Sequence, residues 1–237
     1  MGKQTNIKLR CTVENIIYYQ WKGIDCIRTV PVHVKQTKPT KKAATDFGRA
    51  VKSSAIIRSL FRPLMAEPAN RSIIYKMDGA FRKWLKANPL DNTEPVNEIP
   101  WFDGLSFNDS CDLQKVLKIK ITMSRTADGG LLLQWPAFNP VTAIKAPTGT
   151  RQLDVQCMIA TLPMEQPEQA QCVETNFSIP YTDEIFPVQE VGIPNVMRPH
   201  CLVLVGMAIR YFKDDMQNKP VNILRWKPVG IVGSFYN

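Results

Sequence analysis

The chain has 237 residues, 44% of them apolar and 22% charged, which suffices to bury a core in one or two domains and excludes a disordered tail or a disulfide-stapled miniprotein. Its longest apolar run, Cys201 to Ile209, is about half a bilayer span, and Met1 to Arg10 is polar and basic, so the sequence predicts a soluble, unsecreted, cytoplasmic protein with no membrane span. The net charge of +9 is uneven: 18 Lys and Arg stand against 5 Asp and Glu up to Pro89, and 12 against 16 beyond it. A split of this size marks a polyanion-binding part, a membrane-surface part, or one half of a head-to-tail contact between copies, the plainer alternative being a solvated helix face.

Ile7, Leu9, Cys11 and Val13 alternate with Lys8, Arg10 and Thr12, the period of a strand with one buried face. Glu14-Asn15 and Lys22-Gly23 fall at turn positions, and Ile16 to Trp21 and Ile24 to Thr29 are rich in β-branched and aromatic residues, which predicts a three-stranded meander. Basic and aromatic residues interleave in it: Lys8, Arg10, Tyr18, Tyr19, Trp21 and Arg28. Sheets that present aromatic rings among Arg and Lys stack bases while tracking phosphates. By alternation Tyr18 goes with Ile16, and Tyr19 and Trp21 with Ile17.

Past a linker from Pro31 to Pro39, whose Lys35 and Lys38 begin a basic cluster completed by Lys41 and Lys42, Phe47, Ala50, Val51, Ser54, Ile57, Phe61 and Leu64 recur at spacings of three and four. That is an amphipathic helix, ended or kinked near Arg62 by Pro63. A second helix is predicted from about Asn70 to Ala87, with Ile73, Ile74, Met77, Ala80, Phe81, Trp84 and Leu85 on one stripe and Arg71, Lys76, Arg82, Lys83 and Lys86 mostly on the other. The two are expected to pair as a hairpin against the meander, which is too small to stand alone. Asn88 to Trp101 reads as a linker.

Beyond it, Leu117, Ile119, Ile121 and Met123 alternate with polar residues, and Asp128-Gly129-Gly130 turns the chain into Leu131 to Trp135, a predicted hairpin. Further strands are expected near Leu153 to Ile159, Gln171 to Phe177, Cys201 to Tyr211, Val221 to Trp226 and Val229 to Tyr236, a pattern that argues for an antiparallel sandwich. Cys201 to Ile209 lacks alternation and should be a central strand covered on both faces.

Chemistry is sparse in the motifs. The cysteines, Cys11, Cys26, Cys111, Cys157, Cys172 and Cys201, include no Cys-x-x-Cys pair, and the histidines are His33 and His200, which argues against a zinc site and for reduced thiols serving as small buried hydrophobes. No phosphate-binding or dinucleotide loop and no nucleophile elbow occurs. Asp103, Asp109 and Asp112 cluster, as do Asp183-Glu184 and Asp214-Asp215, and acid and base work would need two or three of them to converge; Asp is also a common turn former. Asn70-Arg-Ser, Asn108-Asp-Ser and Asn176-Phe-Ser match a glycosylation pattern that matters only on a secretory route.

Gly2-Lys3-Gln4, Ile16-Ile17-Tyr18-Tyr19, Gly23, Arg28, Phe47-Gly48-Arg49-Ala50, Arg58, Leu60 and Pro63 resemble blocks of a family of uncharacterised proteins from bacteroidetal genomes. Phe107-Asn108, Phe138-Asn139-Pro140, Ala146-Pro147-Thr148-Gly149-Thr150, Leu202 to Gly206, Tyr211-Phe212 and Tyr236-Asn237 resemble its later blocks. Gln217-Asn218-Lys219-Pro220 departs from the Asn-Gly turn expected before the last strand. The resemblance implies a domain plan and no activity.

The sequence therefore predicts an α+β protein: a basic β-meander and helix pair over 1–88, a linker over 89–101 and an antiparallel β-sandwich over 102–237. The expected function is non-enzymatic interaction or assembly, with a protein partner or a second copy. The alternative is polyanion or nucleic-acid binding through Lys8, Arg10, Tyr19, Trp21, Arg28, Lys41, Lys42, Arg49 and Lys52. No catalytic residue, metal or cofactor is assigned. A third expectation, a hydrolase built on Asp103, Asp109 and Asp112, requires those carboxylates to meet.

Overall fold

The computed structural model describes residues 2–3, 8–31, 36–65, 71–88, 99–213 and 220–237. The chain is an α+β protein and divides into two compact units, Met1–Ala44 and Thr45–Asn237. Among the described residues no helix is long and apolar enough to cross a membrane.

The first unit is built on one antiparallel sheet of β1 (Gly2–Lys3), β2 (Thr12–Val13), β3 (Ile16–Trp21) and β4 (Ile24–Thr29), in the order β1-β4-β3-β2. The predicted meander is present, with its turns at Glu14-Asn15 and Lys22-Gly23. The expected first strand shortens to Thr12–Val13, although the Tyr18 amide still donates to the Cys11 carbonyl at 2.8 Å; Ile7 lies outside the described residues. The outer pairing of β1 with β4 had no signal in the alternation. Lys22 and Gly23 have φ of 50° and 80°, so both turn residues are left-handed, the geometry whose twist matches that of a two-residue hairpin.

In the second unit one sheet is sandwiched between helices and a second sheet. β7 (Gln152–Pro163), β8 (Gln171–Pro180), β10 (Cys201–Phe212) and β11 (Val229–Tyr236) form the central sheet in the order β11-β10-β7-β8. β5 (Thr122–Arg125), β6 (Leu131–Trp135) and β9 (Gln189–Ile193) form the other, ordered β5-β6-β9. Alternation along β7 and β10 distributes the core: Val155, Cys157, Ile159, Val203, Val205 and Met207 pack with Leu131, Leu133 and Trp135. Met158, Ala160, Leu162, Leu202, Leu204 and Ala208 pack instead with the helices α1 (Lys38–Leu60) and α2 (Arg71–Ala87). The uninterrupted Cys201 to Ile209 run is thus a strand covered on both faces, as expected of its composition.

The helices pair antiparallel, Arg58 of α1 reaching Asp78 of α2 at 3.0 Å with both side chains mostly buried. Gly206 admits the end of α1, since a side chain there would meet the Leu64 methyl at 2.8 Å and the Phe61 ring at 3.2 Å. Within the second unit the apolar partners of Ile57, Phe61, Ile73, Met77, Phe81 and Trp84 include Met158, Leu162, Leu202 and Leu204 of the central sheet. The division between units accordingly falls inside α1, whereas the sequence placed it in the 89–101 linker, of which 89–98 lie outside the described residues.

Two further expectations are corrected. The Leu117 to Met123 strand pairs as a ladder only from Thr122, because α3 (Leu113–Val116) and a single Leu117 to Ile144 bridge hold the preceding residues on the end of α4 (Pro140–Ala143). Val221 to Trp226 forms no strand; Leu224 to Trp226 is a short 3₁₀ turn. The Gln217 to Pro220 turn lies largely outside the described residues.

Candidate functional site

The β3–β4 hairpin turns period-two alternation into a face. Its register pairs Ile17 with Arg28, Tyr19 with Cys26 and Trp21 with Ile24, and directly paired residues point to the same side. Ile17, Tyr19, Trp21, Ile24, Cys26 and Arg28 therefore share one side of the sheet, and Ile16, Tyr18, Gln20, Asp25, Ile27 and Thr29 the other. On the first side the Arg28 guanidinium lies 5.3 Å from the centre of the Tyr19 ring, and the Lys22 ammonium lies 4.9 Å from that of Trp21. Both distances are within cation–π range. Trp21 is 52% exposed and Ile24 43%.

The nine predicted polyanion contacts do not form one cluster. Tyr19, Trp21 and Arg28 come together as described. Arg10 instead donates to the Gln20 side chain at 2.9 Å, and the Lys8 ammonium stands 3.9 Å from Asp25, so both engage residues of the opposite side. Lys41 and Lys42 lie exposed in the first turns of α1. Arg49 and Lys52 belong to the second unit, where Lys52 meets Glu168 at 3.0 Å in a solvent-exposed pair of little energetic weight. Lys22 and Ile24 are the members that sequence reasoning missed. Lys22 was read only as a turn residue, and nothing in the local pattern showed that the turn would fold its ammonium back over Trp21.

In the second unit the three clustered aspartates separate by partner. Asp109 takes the Lys76 ammonium at 2.5 Å, and Asp112 caps α3 by accepting from the Gln114 amide at 3.1 Å. Asp103 accepts from the Ser234 hydroxyl at 2.6 Å, that oxygen also lying 2.7 Å from the Ile99 carbonyl. Burial pushes the Asp103 carboxyl above its usual range, with the Ser234 hydrogen bond pulling the other way. Asp103 and Asp112 line a cavity of about 250 Å³ whose other walls are mainly Leu105, Leu117, Ile119, Ile121 and Ile231. Asp109 is thus drawn into an ion pair, whereas Asp103 and Asp112 share the lining of one cavity while each keeps a hydrogen-bond partner of its own. Among the described residues no group of three or more His, Cys, Asp and Glu is placed to hold a metal ion.

The remaining candidates are core or cap. Cys26, Cys111, Cys157 and Cys201 are buried thiols, and burial pushes Cys157 up to about 12, the behaviour of an inert hydrophobe. Asn108 is buried and donates to the carbonyls of Leu224 and Lys227 at 2.7 and 2.8 Å, so its side chain is a structural clamp. Asn70, His33, Asp214 and Asp215 lie outside the described residues, as does Lys35.

With the fold and this face in hand, the chain defines a two-unit α+β protein whose candidate site is a surface and not a cleft. No protein-family model matches it, and no curated protein matches it.

Proposed function

We propose that this is a non-enzymatic interaction or assembly protein that holds its partner on the Tyr19, Trp21 and Arg28 side of the first unit. One observation carries the reading: a tryptophan left 52% exposed at a hairpin tip, next to a half-exposed isoleucine and under a lysine. Exposed aromatic and Arg side chains are the groups that dominate binding energies at contact surfaces. The test is the molar mass of the purified chain over a salt series, together with recovery of ligands on immobilised wild-type and Trp21→Ala chains. The reading expects a complex, with itself or another molecule, that Trp21→Ala loses. A monomer from which both chains recover the same material contradicts it.

A second reading, binding of a polyanion, is favoured by the charge of this unit. Residues 1–44 carry nine Lys and Arg against two acidic residues, whereas residues 45–237 carry 21 against 19. The unit that displays the aromatic face therefore carries a net +7, and the rest of the chain a net +2, a difference that raises the local density of anions around the first unit.

A further inference from the structure

We infer that the ligand of this face is single-stranded nucleic acid, with Trp21 as the principal stacking platform and Arg28 and Lys22 as phosphate contacts; the inference rests on the binding face proposed above. Three observations converge on it. The first is spacing. Tyr19 and Trp21 are two residues apart on β3 and point to the same side, which sets their positions roughly 7 Å apart along the strand. Bases of a duplex are stacked at about 3.4 Å with their faces hidden, whereas an opened single strand offers successive base faces to aromatic rings.

The second is the pairing of each ring with a cation. Arg28 sits over Tyr19 and Lys22 over Trp21, so each aromatic surface comes with a positive group beside it for the phosphate that follows the base. Trp, Tyr and Arg are enriched at protein interfaces as well, whereas Lys is depleted at their centres, so Lys22 is the member of the face that favours a phosphate-bearing ligand. The surplus of nine basic residues over two acidic ones in the unit is complementary to a phosphate backbone.

The third is backbone strain at the tip. Lys22 is held at φ of 50°, a left-handed conformation that costs an ordinary L-residue roughly 1–2 kcal/mol and that Asn or Gly adopts at lower cost. The two-residue turn requires that conformation, and here a lysine carries it. The consequence here is an ammonium placed over the most exposed large aromatic ring of the hairpin.

The inference is tested by titrating the whole chain, at low salt, with a labelled oligothymidylate of roughly 12 nucleotides, with a duplex of the same length and with inorganic polyphosphate. It predicts quenching of tryptophan emission and preference for the single strand over both competitors. Trp21→Ala should weaken that binding about 5- to 150-fold while Trp21→Phe retains most of it. Arg28→Ala should lower the slope of log affinity against log salt by about 0.7, the share of one phosphate on a single strand. Circular dichroism matched to wild type establishes that each variant is folded. Equal binding of duplex and polyphosphate, unaffected by Trp21→Ala, overturns single-strand recognition and leaves a general polyanion surface. Absence of binding to all three overturns every polyanion reading, and the contact face then stands or falls on the ligand recovery described above.

Discussion

The two units spend their apolar residues in opposite ways. In the second, β7 and β10 are twelve-residue strands whose side chains are buried on both faces, and Trp84 and Trp135 are almost fully enclosed. In the first, Asp25 and Cys26 are the buried residues among those described, while Trp21, Ile24 and Ile16 face solvent. A body that completes its own core has no need to advertise hydrophobic surface. A small sheet that leaves tryptophan and isoleucine outside is marginal by itself, and the function proposed above gives those residues the role of contact. The contrast separates a unit that encloses its large apolar side chains from one that leaves them exposed.

The sharpest way to break that contrast is a pair of tryptophan truncations. Trp84→Ala removes a side chain that is 1% exposed and packs edge-on against Tyr236 at 5.4 Å between ring centres, and should cost about 3–5 kcal/mol in a denaturant titration. Trp21→Ala should change the same midpoint by less than about 0.5 kcal/mol while abolishing partner recovery. Equal destabilisation by the two would mean that Trp21 belongs to a core after all.

A smaller effect is expected at the hairpin tip. Lys22→Asn relieves the left-handed strain and removes the ammonium over Trp21, so hydrogen exchange of the β3 and β4 amides should slow by up to about tenfold. Ligand binding should weaken in the same variant. Faster exchange would show that the cation–π contact holds the hairpin more firmly than the turn geometry opposes it.

A further effect concerns pH. The folded thiol of Cys157 is raised by burial to about 12, from an ordinary value of 9.0, so folding favours the neutral form. That contribution is whole below the unfolded value and is lost as pH rises from about 9 towards about 12. Cys157→Ala should therefore show a shallower fall in stability across that window than wild type. The exposed Cys11 of the first unit should meanwhile be alkylated near neutral pH, with Cys157 untouched. Identical alkaline slopes for the two chains would contradict the assigned burial.

Much of the fold was legible where local physics decides it. Period-two alternation with Lys22-Gly23 between the runs specified the β3–β4 hairpin, and the unbroken apolar run at Cys201 could only be a doubly covered strand. Spacings of three and four likewise marked both helices. What those helices cover was not legible, because Phe61 and Trp84 find Leu204 and Tyr236 across more than a hundred residues of chain, and a stripe records how much it must bury but not against what. The Leu117 to Ile121 alternation misled for the same reason: contacts with the end of α4 outweighed extension of the hairpin. β9 was missed because Gln189 and Glu190 dilute its apolar signal at the sheet edge.

The candidate face was half legible. Parity assigned Tyr19 and Trp21 to one side, and the register of β4 adds Arg28 to them. Parity gave no sign that Arg10 and Lys8 would engage Gln20 and Asp25 on the reverse. The gathering of Asp103, Asp109 and Asp112 in sequence serves three local structural needs, a hydroxyl contact, an ion pair and a helix cap, and brings only Asp103 and Asp112 to one cavity.

The most direct test of the central claim, that the aromatic face of the first unit is where this protein meets its partner, is hydroxyl-radical footprinting read by mass spectrometry with and without the oligothymidylate. The account predicts that Trp21 loses its labelling on complex formation while Val173 and Ile185, exposed in the second unit, keep theirs. Protection confined to the second unit, with Trp21 labelled as strongly in the complex as in the free chain, would contradict it.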